Sequence, residues 1–208
     1  MKRDLLRSFL SILGTKVGIL VIGVLTTPLI VRLLGSGGYG DYALIMSTFS
    51  VLTVFTNSGI FNGIRKYIAE DRSIDGWTDV VFSFYFRLSI LVTAALAVTL
   101  VIVSQSPLVV SLLGREFQMY FVVLGLYLFI SQFYSMGRGA LMGFGLEHYS
   151  EPLQMVEKVV YAAVALVLLY YGLGVIGLLA GHIVGILLVG VVAFWLIRDK
   201  VSFRMLVR

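Results

Sequence analysis

Apolar residues fall into six long runs along this chain, each bounded by charged or glycine-rich breaks. The runs cover about 8–34, 42–64, 80–103, 117–144, 153–171 and 175–197. A helix needs about 20 predominantly apolar residues to cross the hydrocarbon of a bilayer. The pattern therefore predicts an all-α integral membrane protein with six transmembrane helices. Only Lys16 and Arg32 interrupt the first run. The fourth loosens towards its end through Gly137, Gly139, Gly143 and Gly145. Gly35–Ser36–Gly37–Gly38 reads as a turn between the first two spans. Gly172–Leu173–Gly174 is too short for anything but an antiparallel pair of helices. Gly177, Gly181 and Gly185 recur every four residues and form one ridge of the sixth helix. Small residues at that spacing let backbones approach closely, which favours a packing surface over a dimerisation motif.

Composition agrees with the pattern. Of 208 residues, 59% are apolar and 13% charged, where a soluble domain carries about a quarter charged, and the mean hydropathy is +1.00. These values exclude a soluble enzyme and a disordered tail. The chain has no Cys, which excludes a disulfide framework, thiolate metal sites and palmitoylation. The opening Met1–Lys2–Arg3 followed by an apolar run resembles a secretory signal. A cleavable core is only about 7–15 residues long and ends in small residues. This run continues to Leu34, so it reads as an uncleaved first span.

The net charge of +5 does not point to nucleic acid, because the basic residues are placed by side. Lys2, Arg3, Arg7, Arg65, Lys66, Arg72, Arg87, Arg138, Lys158, Arg198, Lys200, Arg204 and Arg208 fall on the side of the N-terminus, and Arg32 and Arg115 on the other. Cytoplasmic loops carry the excess of Lys and Arg. Both termini are therefore expected in the cytoplasm, with these charges meeting anionic membrane lipid. The largest connector, 69–79, is too short for a soluble catalytic domain.

Ionisable groups at membrane depth are costly and invite a functional reading. Lys16 lies eight residues beyond Ser8, about 12 Å along a helix. It either snorkels to the headgroups or faces a wet cavity together with Gly23 and Thr27, which share its face. Pro28 has no N–H to offer the carbonyl of Val24, so a helix kink is expected there. In the second span Ser58, Asn62 and Lys66 recur every four residues beside Asn57 and Arg65, a polar stripe leading to a positive mouth. Arg87 in the third span, and Arg138 below Gln132 in the fourth, add guanidinium groups near the same level. Guanidinium pairs bidentately with phosphate oxygens, so such a mouth suits a phosphate or diphosphate. Topology and ordinary lipid contact would explain each residue singly. His182, midway along the last span, reads as a packing histidine or a proton-coupling group. Glu157 and Lys158 read as an interfacial pair. Glu147–His148 lacks further ligands nearby, and no Walker-type loop is present. No metal site, cofactor or ATP hydrolysis is expected.

The stretch Leu25–Thr26–Thr27–Pro28–Leu29–Ile30–Val31–Arg32–Leu33–Leu34–Gly35, followed by Gly38–Tyr39–Gly40–Asp41–Tyr42–Ala43, resembles the opening of polysaccharide flippases. These belong to the multidrug/oligosaccharidyl-lipid/polysaccharide exporter superfamily. Gly63–Ile64–Arg65–Lys66–Tyr67–Ile68–Ala69–Glu70 resembles the end of their second helix; beyond residue 80 the match is in helix spacing and hydropathy. The resemblance implies a transporter that carries a lipid-linked glycan across the cytoplasmic membrane by alternating access. Such flippases have two six-helix lobes about a central cavity, and this chain corresponds to the N-terminal one. It implies phosphate contacts for Lys16, Arg65, Lys66 and Arg87, with Asn62 on the same stripe. It also implies a second six-helix lobe, either a separate chain or a second copy in a homodimer, unless the chain is a truncated product.

Three rivals have distinct signatures. A multidrug or metabolite antiporter lobe favours an intramembrane carboxylate, and the apolar runs place no Asp or Glu deep in a span. An integral-membrane enzyme needs an acid–base pair at the interface, for which only Glu147, His148, Glu151 and Asp79 are near. A non-transporting assembly subunit tolerates loss of Lys16 and Arg65.

Overall fold

A computed structural model of the chain describes the backbone of residues 2–70 and 74–201, and the side chains of 12–57, 59–70 and 74–201. Ser58 and the basic residues Lys2, Arg3, Arg7, Arg72, Arg204 and Arg208 lie outside the described side chains. The described residues form helices α1 (Lys2–Ala69), α2 (Trp77–Ser104), α3 (Pro107–Leu112), α4 (Glu116–Gly143), α5 (Glu147–Tyr170) and α6 (Gly174–Ile197), without strands. Five of them, all but the short α3, are long and apolar enough to cross a membrane.

The predicted first and second spans both fall on α1, which is divided at Gly35 (φ 75°, ψ 170°). That backbone conformation is open to glycine and strained for other residues. The two arms run in opposite directions, as their neighbours show. On the first arm Lys16 lies beside Gln154 and Ile30 packs with Tyr161, Ala165 and Leu169, so the arm runs parallel to α5. On the second, Phe49 stacks on Tyr127 at 4.2 Å and the carbonyl of Arg65 lies against Gly143, so it runs parallel to α4. The expected four-residue turn is thus a single-residue break. Pro28 lies inside the first arm, where the helix continues without a non-helical residue. The hydroxyl of Thr26 donates to the carbonyl of Ile22 in the turn before it.

Two glycine caps make the tight reversals. Gly145 (φ 69°) ends α4, with Leu146 N–H donating to Leu141 O at 2.8 Å and Gly145 N–H to Met142 O at 3.1 Å. Gly172 (φ 80°) repeats the same pair of bonds after α5, to Leu168 and Leu169. Both are Schellman motifs, in which a left-handed residue returns two orphan N–H groups to the last turn. The cap at Gly145 lets α5 start at Glu147, six residues before the apolar run. Pro152 then falls inside α5, in its second turn, and has no N–H to offer the carbonyl of His148.

The glycine ridge of α6 packs inside the chain. A β-carbon on Gly181 would lie 2.9 Å from Cβ of Ala165, and one on Gly185 would lie 2.9 Å from the carbonyl oxygen of Glu157. The ridge is the seat of α5. Buried apolar side chains from α1, α2, α4 and α6 form the main core around Phe82, Leu124, Leu128, Leu141 and Val189.

Candidate functional site

One end of the bundle gathers the start of the first α1 arm, the end of the second, the start of α5 and the end of α4. There the carboxylate of Glu151, 5% exposed, is shared by two cations. Arg138 on α4 donates from Nη2 to Oε1 at 3.0 Å. Lys16 on α1 lies 3.6 Å from Oε2, and also donates to Gln154 Oε1 at 3.2 Å. Gln154 in turn donates to Glu151 Oε2 at 2.8 Å. Two positive charges meeting one negative leave the group net positive. The Lys16 side chain is 54% exposed, so it is neither buried nor simply reaching for headgroups; it is held by α5.

The remaining predicted residues surround this group unevenly. The guanidinium of Arg138 lies over the ring of Phe61 at 5.4 Å, which puts the second α1 arm beside it. Asn62 and Arg65 are exposed on that arm. Lys66, also exposed, lies 3.9 Å from Glu70 one turn on. Arg87 is exposed on α2. The structure thus unites Lys16 with Arg138 and leaves Asn62, Arg65, Lys66 and Arg87 on outward faces. No group of three or more metal-ligating side chains occurs among the described residues.

A second polar group lies deeper, midway along α5 and α6, and corrects two expectations. Glu157 is 6% exposed and sits against Gly185 at the centre of α6; it is not interfacial. A carboxylate therefore does lie deep in the bundle, because α5 begins earlier than its apolar run. Its Oε2 is 3.2 Å from Lys158 Nζ, and its Oε1 is 3.8 Å from Nδ1 of the buried His182. The other ring nitrogen of His182, Nε2, is 2.9 Å from the hydroxyl of Tyr42. That hydroxyl is 3.0 Å from the hydroxyl of Tyr161. Three tyrosine rings surround the imidazole, with Tyr161 stacked at 3.7 Å, Tyr127 at 5.3 Å and Tyr42 at 6.3 Å between centroids.

The two groups lie on one face of α5. Glu151, Gln154, Glu157, Lys158 and Tyr161 follow a three-to-four-residue spacing, which aligns side chains on a helix. On α4, Tyr127, Ser131, Tyr134 and Arg138 repeat the same spacing opposite. Tyr134 Oη, Ser150 Oγ and Arg138 Nε are buried along this seam without a hydrogen-bond partner among the described residues. Sequence reasoning missed the seam because it weighed cations and took the apolar run as the limit of the helix. The spacing of polar residues from Glu151 to Tyr161 was the available signal.

The family of polysaccharide biosynthesis proteins matches residues 5–207. The chain belongs to that family. Membership and the apolar helices together make it a multi-pass membrane protein with a role in polysaccharide synthesis or export. Comparison with curated proteins gives no match, and neither does comparison with solved structures.

Proposed function

We propose that the chain is the N-terminal lobe of a flippase. It moves a lipid-linked oligosaccharide or polysaccharide repeat unit across the cytoplasmic membrane by alternating access against a second six-helix lobe. It performs no covalent chemistry and uses no cofactor. Both termini lie in the cytoplasm, so the Glu151 group faces that side. The observation that carries this reading is the meeting of Lys16 and Arg138, from different helices, over the single carboxylate of Glu151. A phosphate or diphosphate is the natural additional anion for such a net-positive group, since charge-assisted bonds to guanidinium and ammonium are the strong ones. Asn62, Arg65, Lys66 and, further along α2, Arg87 extend the positive mouth. The polar face of α1 at Gly23 and Thr27 borders the space for the sugars, and the lipid tail stays in the bilayer.

The test is translocation of a fluorescent polyprenyl-diphosphate glycan in proteoliposomes holding the chain and its second lobe. Lys16→Ala is expected to lower the initial rate about tenfold, as removal of a charged contact worth 1.4 kcal/mol would. Arg115→Ala, exposed at the start of α4 and so at the opposite end of the bundle, leaves it unchanged. Equal rates for wild type and Lys16→Ala would remove the reading. A second reading, an antiporter lobe, regains weight because Glu157 supplies the carboxylate that the apolar runs appeared to lack. Export of organic cations without movement of lipid-linked glycan would select it.

A further inference from the structure

An ionisable side chain held in the middle of a membrane bundle needs either a partner or a purpose. Glu157 already has a partner of opposite sign in Lys158 at 3.2 Å. Carboxylate and ammonium balance, and His182 is left as the group whose charge can change. Every element packed around it contributes a titratable or charged group. Helix α1 brings Tyr42, with Tyr39 behind it at 6.3 Å between rings. Helix α4 brings Tyr127, and α5 brings Glu157, Lys158 and Tyr161. The faces of aromatic rings attract cations, and the ring of Tyr161 lies flat against the imidazole at 3.7 Å. Glu157 Oε1 supplies a negative charge 3.8 Å from Nδ1. Carboxylate and ring face together offer an imidazolium something to meet, against the cost of burying its charge.

We propose that His182 is a proton-binding site that couples translocation to a proton gradient, with Glu157 as its counter-charge and Tyr42 as the relay to α1. This rests on the transport reading above. In the neutral form the Nδ1–H faces Glu157, and Nε2 accepts the hydrogen bond of the Tyr42 hydroxyl. On protonation the Tyr42 proton passes to Nε2, the Tyr161 proton passes to the Tyr42 oxygen, and Tyr161 takes up the incoming proton. No bond other than O–H and N–H changes, and the cluster gains one positive charge. Afterwards Nε2–H donates to Tyr42 instead of accepting from it. Tyr42 lies on the second arm of α1, which is joined through Gly35 to the arm carrying Lys16. Proton arrival thus changes a contact on the helix that also contacts the substrate phosphate.

The chain has two histidines, and His148 is exposed, so the second imidazole can be followed directly. Nitrogen-15 NMR of the histidine-labelled full chain in lipid nanodiscs is expected to show the His182 ring changing charge between about pH 5 and pH 8, the window of imidazole. His182→Gln should remove one of the two signals. Glu157→Gln should leave the buried ring neutral throughout the window. In proteoliposomes, an imposed proton gradient should raise the initial rate of wild type about tenfold, an ordinary size for coupling between sites. Tyr42→Phe, which keeps the ring, should leave His182 able to titrate but abolish that acceleration. A buried ring neutral across the window overturns the proposal, as does a wild-type rate indifferent to the gradient while glycan still moves. If His182 titrates as described but no lipid-linked glycan moves under any gradient, the proton site stands and the flippase reading falls.

Discussion

The first arm of α1 and the α4–α5–α6 triplet are all apolar enough to cross a membrane but are packed differently. In an apolar eighteen-residue stretch of α1 only 11% of residues are buried, against 28% in α5 and 56% in both α4 and α6. The triplet is closed by glycine, with α6 seated on α5 backbone at Gly181 and Gly185. The arm leans on α5 through a few contacts, chiefly Lys16 with Gln154 and Glu151, and Ile30 with Tyr161. Without a hydrophobic drive between helices in lipid, close packing and interhelical polar bonds decide which helices stay together. The triplet has both, and the arm depends mainly on the polar bonds. A lobe built this way has a closely packed frame and one lightly held arm that carries Lys16.

Substitutions that test this contrast differ widely in expected size. Gly181→Leu should be the most damaging, because its first carbon already meets Ala165 N at 3.0 Å. A loss of about 3 kcal/mol is expected from overpacking, measured by thermal unfolding in detergent. Gly23→Leu on the arm meets nothing within 4 Å and should stay within about 0.5 kcal/mol. Equal losses for the two would erase the distinction between frame and arm. Next comes Glu151→Gln, which leaves Arg138 and Lys16 without their shared anion. About 2 kcal/mol is expected, since the carboxylate is buried but Lys16 is half exposed. Proteolysis should then reach the start of α1 before the triplet. Tyr42→Phe removes the hydroxyl between Tyr161 and His182 and should cost about 1 kcal/mol. Smallest of all is Lys66→Ala, an exposed pair with Glu70 at 3.9 Å, with no more than about 0.5 kcal/mol.

The helical class and the reversal at Gly172 were legible because hydropathy and glycine punctuation are local signals. The reversal at Gly35 was legible as a turn, but its compression into one residue was not, since the neighbouring glycines accept helical angles too. The site was half legible. Lys16 and Arg138 stood out as cations in apolar surroundings, yet their common partner Glu151 did not, because it precedes Pro152 and the apolar run. Glu157 and His182 are distant in sequence and meet only because the α6 glycines bring α5 within touching distance. Such a contact is a property of packing and has no local trace.

Transport through this lobe requires the polar face of α1 to look onto water and not onto lipid tails. The chain has no cysteine, so single cysteines can be placed at Thr27, Asn62 and Leu25, all exposed on α1, and treated with a membrane-impermeant maleimide in inverted and right-side-out vesicles. Thr27→Cys and Asn62→Cys should be modified, and protected by the lipid-linked glycan, while Leu25→Cys, on the opposite face of the first arm from Lys16 and Thr27, stays unreactive in lipid. Three unreactive cysteines, or modification that the glycan does not slow, would contradict it.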